Sequence, residues 1–265
     1  MTTDTSFRAI MDDLKAKNGS AVTIPEGWAQ GRALYGGLVA ALAADAMAMS
    51  LENERPIRTL LGNFVAPAPV GDLELKTEIL REGRAVVQTR CDVTAGDQVV
   101  FAATAAFGDD RPGEAVATEY VMDAKPRDSV PSMEKATRML PGFLSNFDVH
   151  WTGGGIPMSN SKDRTTGMWV RHKSDMAAFP IANLVGIADM PPPVMLCHYD
   201  RPIRASSMSW SLEFVVPPQN VDTEWFYLDF TLEAAANGYS QQSGKIFAED
   251  GTLVALSRQC MVYFE

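Results

Sequence analysis

The run GGLVAALAADAMAMS at residues 36–50 constrains the fold of this chain more than any other segment. Read as a helix, it is small or apolar on nearly every side, with Asp45 as its one acid. A helix without a polar face is a buried helix. Its alanines let neighbouring elements approach closely. It is short for a membrane span and carries that acid, so the rest of the chain must wrap it.

The segments that follow can do so. Residues 58–66, 72–81, 86–94 and 99–107 are strand-like, and LELKTEIL alternates apolar and polar with period two. That alternation marks an antiparallel sheet with one face covered and one wet. Gly83 and the Ala95-Gly96-Asp97 cluster supply turns. Ahead of the buried helix, residues 6–16 predict a short amphipathic helix and 21–24 a strand. One buried helix followed by a meander is an α+β pattern. Residues 108–142, rich in Pro, Asp and Glu and without strand period, predict a surface linker.

The second half then repeats the first. NFVAPAP at 63–69 matches EFVVPPQ at 213–219, with Phe64/Phe214, Val65/Val215 and Pro67/Pro217 all offset by 150. Gly83 and Gly238, and Gly96 and Gly251, are offset by 155, which lays Thr104 under Gln259. The 265 residues therefore divide into an N-terminal unit at 1–110, a linker at 111–142 and a C-terminal unit at 143–265.

A net charge of -10 and a pI of about 4.8 argue against a nucleic-acid partner, which needs basic surface to neutralise phosphates. A local pair of arginines can still hold a phosphate-bearing small molecule. Cys91, Cys197 and Cys260 are odd in number and dispersed, as are His150, His172 and His198. No metal site or disulfide framework is expected. Nucleotide-binding glycine motifs and the G-x-S-x-G elbow are missing, so no cofactor is expected either. The opening MTTDTSFRAIMDDLKAK has acids and no apolar core, which predicts a cytoplasmic protein without a signal peptide or membrane anchor.

Three segments carry a resemblance: YGGLVAAL, NFVAPAPVGDLELKTEILREGR, and NGYSQQSGKIFAEDGTLVALSRQ. In order and at this spacing they resemble the bacterial acyl-CoA thioesterase II family over nearly the whole chain except the linker. The resemblance implies a double hotdog, two tandem units each wrapping a sheet around a helix. It implies catalysis by an Asp at the start of the second hotdog helix, a hydroxyl on the following strand and a Gln on the last strand. Those positions fall on Asp189, Ser207 and Gln259. Ser206 adjoins Ser207, and a one-residue slip would exchange them.

By spacing alone Asp189, just ahead of Pro191-Pro192-Pro193, reads as an N-cap, and the resemblance reads it as a catalyst. Under that reading Asp189 deprotonates a water that Ser207 and Gln259 hold, the amide using either its donor or its acceptor end. Backbone N–H groups opening the second helix would bind the oxyanion. Trp210, on the Ser207 strand, is a candidate for the acyl channel. Arg58 and Arg84, with Arg32 and Arg204, are candidates for the CoA phosphates. Two other readings stand beside acyl-CoA hydrolysis: an acyl-CoA or acyl-carrier binding module, and a hotdog hydratase or dehydratase. A double hotdog supplies its own sheet pairing, and further association as a symmetric homo-oligomer is compatible with it.

Overall fold

The structure, a computed structural model, describes residues 5–133 and 141–264. The chain opens with helix α1 (Phe7–Ala16), strand β1 (Ala21–Ile24) and a two-stranded hairpin, β2 (Ala29–Gln30) with β3 (Ala33–Leu34). Helix α2 (Gly36–Met49) follows, then β4 (Ile57–Phe64), β5 (Gly71–Glu82), β6 (Val86–Ala95) and β7 (Gln98–Gly108). The second half contains β8 (Phe147–Gly154), β9 (Thr165–His172), α3 (Pro180–Ala188), β10 (Arg204–Phe214), β11 (Phe226–Ala236), β12 (Tyr239–Ala248) and β13 (Leu253–Phe264).

Apart from the β2–β3 hairpin, the strands form one sheet in the order β1-β5-β6-β7-β4-β10-β13-β12-β11-β9-β8, so the halves join along β4 and β10. That junction is antiparallel and centred on Leu61 opposite Ser211. The four strands nearest the junction on each side, β4-β7-β6-β5 and β10-β13-β12-β11, are equivalent, with β1 added beyond them in the first half and β9 and β8 in the second. This is the double hotdog, α+β, that the sequence predicts.

Both central helices are buried because neither has a polar face. In α2 every residue from Gly37 to Met47 is buried, Asp45 included. In α3 the sequence PIANLVGIA leaves only Pro180 and Asn183 partly exposed. The two helices run antiparallel, as their ends show: the N–H of Gly37, opening α2, bonds to Asp189 just past the end of α3. The N–H of Ala182, opening α3, bonds to Asp45 near the end of α2. Small residues permit this closeness. A Cβ at Gly36 would lie 2.8 Å from Asp189 Oδ2, and one at Gly37 would lie 2.8 Å from the Gly186 carbonyl.

Helix α1 turns Phe7, Ile10, Met11 and Leu14 into the core. Arg8 and Lys15 lie over the Phe179 ring, which immediately precedes α3, and Phe7 meets His172 edge-on at 4.6 Å. The segment after β7 lies against the outside of the second half. Tyr227 Oη and Trp169 Nε1 donate to the carbonyls of Asp123 and Lys125, and Arg127 pairs with Glu249 at 2.5 Å. Among the described residues no helix is long and apolar enough to cross a membrane.

Candidate active site

Asp189 is the C-cap of α3, and this corrects the expectation that it opens the second helix. The three prolines after it had suggested a helix start. Pro180 is the proline that occupies a first turn, where its missing N–H has no intrahelical partner to lose. The prolines at 191–193 instead lead into a short 3-10 turn, Val194–His198.

The oxyanion expectation changes with it. The helix N-terminus facing Asp189 belongs to α2, from the other half. The first intrahelical bond of α2 runs from Val39 N to Tyr35 O, so Gly36, Gly37 and Leu38 offer amides that the helix does not use. Gly37 gives its N–H to Asp189. Tyr35, buried just ahead of α2, donates to the Gly186 carbonyl at 2.6 Å and ties the start of α2 to α3.

Gln259 reaches Asp189 from β13, its Nε2 donating to Asp189 Oδ1 at 2.6 Å. The two residues are 70 apart in sequence. Asp189 is half-buried and borders a cavity. Burial pushes its carboxyl up to about 7, against the lowering pull of the Gln259 and Gly37 donors. A carboxylate poised near neutrality is suited to take a proton and give it back.

The cavity has a volume of about 1170 Å³. Asp189, Met190 and Pro191–Pro193 form one part of its wall, with Phe64 and the 65–68 segment from the first half. Phe143, Phe147, Trp151, Met168 and Met261 supply much of its apolar surface. Ser206 and Ser207 both border it. Ser207 pairs with Met261, Trp210 pairs with Gln259, and the register slips between Ser207 and Ser209. Directly paired residues share a face, so the bulge at Met208 puts Ser207 on the same side as Met261 and Gln259. Among the described residues no hydrogen bond joins Ser207 to Asp189 or Gln259.

The remaining candidates lie elsewhere. Trp210 is buried beside Gln259, its Nε1 donating to Ser257 Oγ at 2.9 Å, and is not among the cavity-lining residues. Arg58 donates to the Gly108 carbonyl at 2.9 Å and to Asp110 at 2.5 Å. Arg84 is exposed in the turn between β5 and β6. Neither arginine borders the cavity. Arg32, in the β2–β3 turn, and Arg204, opening β10, do.

One participant escaped the sequence reading. Gln242, on β12, donates from Nε2 to Gln259 Oε1 at 3.0 Å and accepts at Oε1 from the Val194 N–H at 3.1 Å. The period-two pattern of β12 placed it on the inward face with Ser240, Gly244 and Ile246. A buried amide on that face had to find partners.

The sequence and fold have known counterparts. Residues 24–108 match the model of the acyl-CoA thioesterase N-terminal domain, and residues 122–263 match that of the acyl-CoA thioesterase C-terminal domain. No sequence among the curated proteins matches. The fold is similar to that of a conserved protein of unknown function with a hot dog fold from Alicyclobacillus acidocaldarius, at 22% identity, TM-score 0.82 and 92% coverage of both chains. It is similar to a tesB protein from Mycobacterium avium subs paratuberculosis, at 17% identity and TM-score 0.78, covering 98% of this chain and 100% of that one. An acyl-CoA thioesterase II from Mycobacterium marinum shares 20% identity at TM-score 0.69, with 88% of this chain and 91% of that one covered. The chain belongs to the acyl-CoA thioesterase family, carrying that family's N-terminal domain at 24–108 and its C-terminal domain at 122–263.

Proposed function

We propose that this protein hydrolyses acyl-CoA to the free acid and CoA, with Asp189 as the general base. The observation that carries the reading is the Asp189–Gln259 contact, a carboxyl held near neutrality at the wall of a large apolar cavity. The acyl group lies in the cavity with its carbonyl carbon near Asp189. Asp189 accepts a proton from a water as the water oxygen bonds to that carbon. The carbonyl electrons move onto oxygen, where the Gly36 amide of the α2 first turn, on the cavity wall, is the donor. Collapse re-forms the carbonyl and breaks the C–S bond. The CoA thiolate leaves and takes up the proton that Asp189 received. Ser207, facing the same side as Gln259, orients the water.

Arg32 and Arg204 are the better candidates for the CoA phosphates, since both border the cavity and Arg58 is already committed to Gly108 and Asp110. The division expected at about residues 110 and 142 would split the tasks between the units. The first unit brings the amides of α2, and the second brings Asp189, Ser207 and Gln259.

Thiol release from a panel of acyl-CoAs, followed with a thiol-reactive dye, tests the reading. Asp189→Asn should lower turnover on the order of 10²–10⁴-fold, the usual worth of a positioned base. Wild-type turnover in that variant would sink the assignment. Binding of acyl-CoA by the wild type without thiol release would make the protein a binding module.

A further inference from the structure

The three buried groups behind Asp189 form a directed chain. Val194 N–H donates to Gln242 Oε1 at 3.1 Å, Gln242 Nε2 donates to Gln259 Oε1 at 3.0 Å, and Gln259 Nε2 donates to Asp189 Oδ1 at 2.6 Å. Both amide side chains are 2% exposed, so water does not substitute for a missing partner. We propose that Gln242 is a positioning residue that fixes the polarity of this chain, so that Gln259 meets Asp189 as a donor only. The inference rests on the thioesterase reading of Asp189.

The argument starts from a group that cannot change role. A backbone N–H donates and never accepts. Val194 therefore requires the carbonyl end of Gln242, which turns the Gln242 amine towards Gln259. That amine in turn requires the carbonyl end of Gln259, which leaves the Gln259 amine for Asp189. Reversing either amide would set N–H against N–H in a buried site and strand both donors. The ambiguity that a glutamine ordinarily carries is thus removed by one main-chain amide.

Two consequences follow for the chemistry. The oxygen of Gln259 is turned towards Gln242 and away from Asp189, so the carboxylate is the acceptor left to take the proton of the attacking water. Gln259, like Gln242, does not border the cavity, so its amine bears on the reaction through its hydrogen bond to Asp189. Val194 also begins the 3-10 turn that follows the cavity-lining prolines, so the chain ties that wall to the carboxylate. Gln242 itself does not border the cavity and acts through Gln259.

Two near-isosteric substitutions separate positioning from packing. Gln242→Met keeps the volume and removes both hydrogen-bonding ends, freeing Gln259 to turn its oxygen on Asp189. Its kcat should fall on the order of ten- to a hundredfold, with KM within about twofold, because the cavity is untouched. The acid limb of its rate profile should move to higher pH, since a donor that favours the carboxylate is weakened. Gln242→Glu gives a sharper signature. Its neutral acid accepts from Val194 and donates to Gln259, which preserves the polarity. Its carboxylate only accepts, which reverses Gln259. The variant should therefore lose activity as pH rises, a limb that the wild type lacks. The other titratable group facing Asp189 is Tyr35, whose own shift upward keeps it neutral throughout this range.

Purified full-length variants are compared by thermal unfolding and by rate profiles on one acyl-CoA. Wild-type kcat and profile in both variants would overturn the proposal. So would an unshifted profile with activity lost only in step with folded protein. A Gln242→Met protein that does not fold leaves the decision to Gln242→Glu. Activity retained by Asp189→Asn would instead overturn the thioesterase reading, whereas an inactive Asp189→Asn beside unaffected Gln242 variants overturns the relay alone.

Discussion

The two halves of this molecule carry the same carboxylate and treat it differently. Asp45 stands nine residues after the first residue of α2, and Asp189 stands nine after the first of α3. Each accepts an N–H from the opening turn of the opposite helix, and burial pushes each up to about 7. Their surroundings then diverge. Across the sheet Trp210 faces Gln259 as Leu60 faces Ala105, and Gln242 faces Gln259 as Thr89 faces Ala105. The two glutamines behind Asp189 thus have Ala105 and Thr89 as counterparts, and Thr89 turns its hydroxyl to the Ala105 carbonyl. Asp189 borders the cavity, whereas Asp45 is 6% exposed and Lys15 of α1 is the cation bearing on it. A buried carboxylate next to a helix N-terminus does not make a site. Asp189 differs from Asp45 in having an amide relay behind it and a cavity in front.

The largest test of that contrast compares the two isosteric amides. If the asymmetry is functional, Asp189→Asn loses turnover on the order of 10²–10⁴-fold and Asp45→Asn keeps it within about twofold. Equal losses in kcat would break the comparison, because they would make Asp45 a second working base.

A smaller effect is expected in stability, and its sign follows from linkage. Asp45 titrates near 7 in the fold and near 3.8 when unfolded. Below both values the acid is protonated in either state and has no cost. As pH rises through this window the unfolded chain releases a proton that the fold retains, so stability falls and levels off above about 7. Asn keeps an acceptor for the Ala182 N–H and has no charge to bury. The gain of Asp45→Asn over wild type in urea unfolding should therefore grow from pH 4 to pH 8, by up to about 4 kcal/mol at 1.36 kcal/mol per unit. Parallel stability curves would show that Asp45 is not carrying this burden.

Much of this architecture was legible in the sequence because local pattern and burial agreed. The apolar run at 36–50 could only be buried, the period-two segments became β4 to β7 within one or two residues of their expected ends, and Phe64 and Phe214 mark equivalent strands. Asp189 and Gln259 were both singled out, and the fold brings them into contact across 70 residues. The orientation of α3 was not legible, because proline is tolerated in a first turn and two proline sites, 180 and 191–193, competed for it. The counterpart of Gln259 was misplaced by one residue. Thr104 had seemed to lie beneath it, but the register makes Ala105 the counterpart. The glycine turns at 96 and 251 are offset by one residue more than the strands they precede, and a slip of one exchanges the faces of a strand. The Gln242 relay depends on a main-chain N–H 48 residues away, a partner that no local pattern names.

The smallest expected effect concerns α1, which packs over the Asp45 side. Ser6 caps it, its Oγ accepting from Ala9 N at 3.2 Å. An N-cap serine replaced by alanine typically costs about 1 kcal/mol. Ser6→Ala should lower global stability by about that amount or less and speed hydrogen exchange in the first turn of α1, because fraying begins where the cap is lost. Turnover should not change, since α1 contributes no group to the cavity wall. Altered turnover at full stability would mean that the covered half communicates with the open one, through the short path from Phe7 to Gly186 and on to Asp189. The two carboxylates would then be coupled parts of a single device, not one working site and one structural remnant.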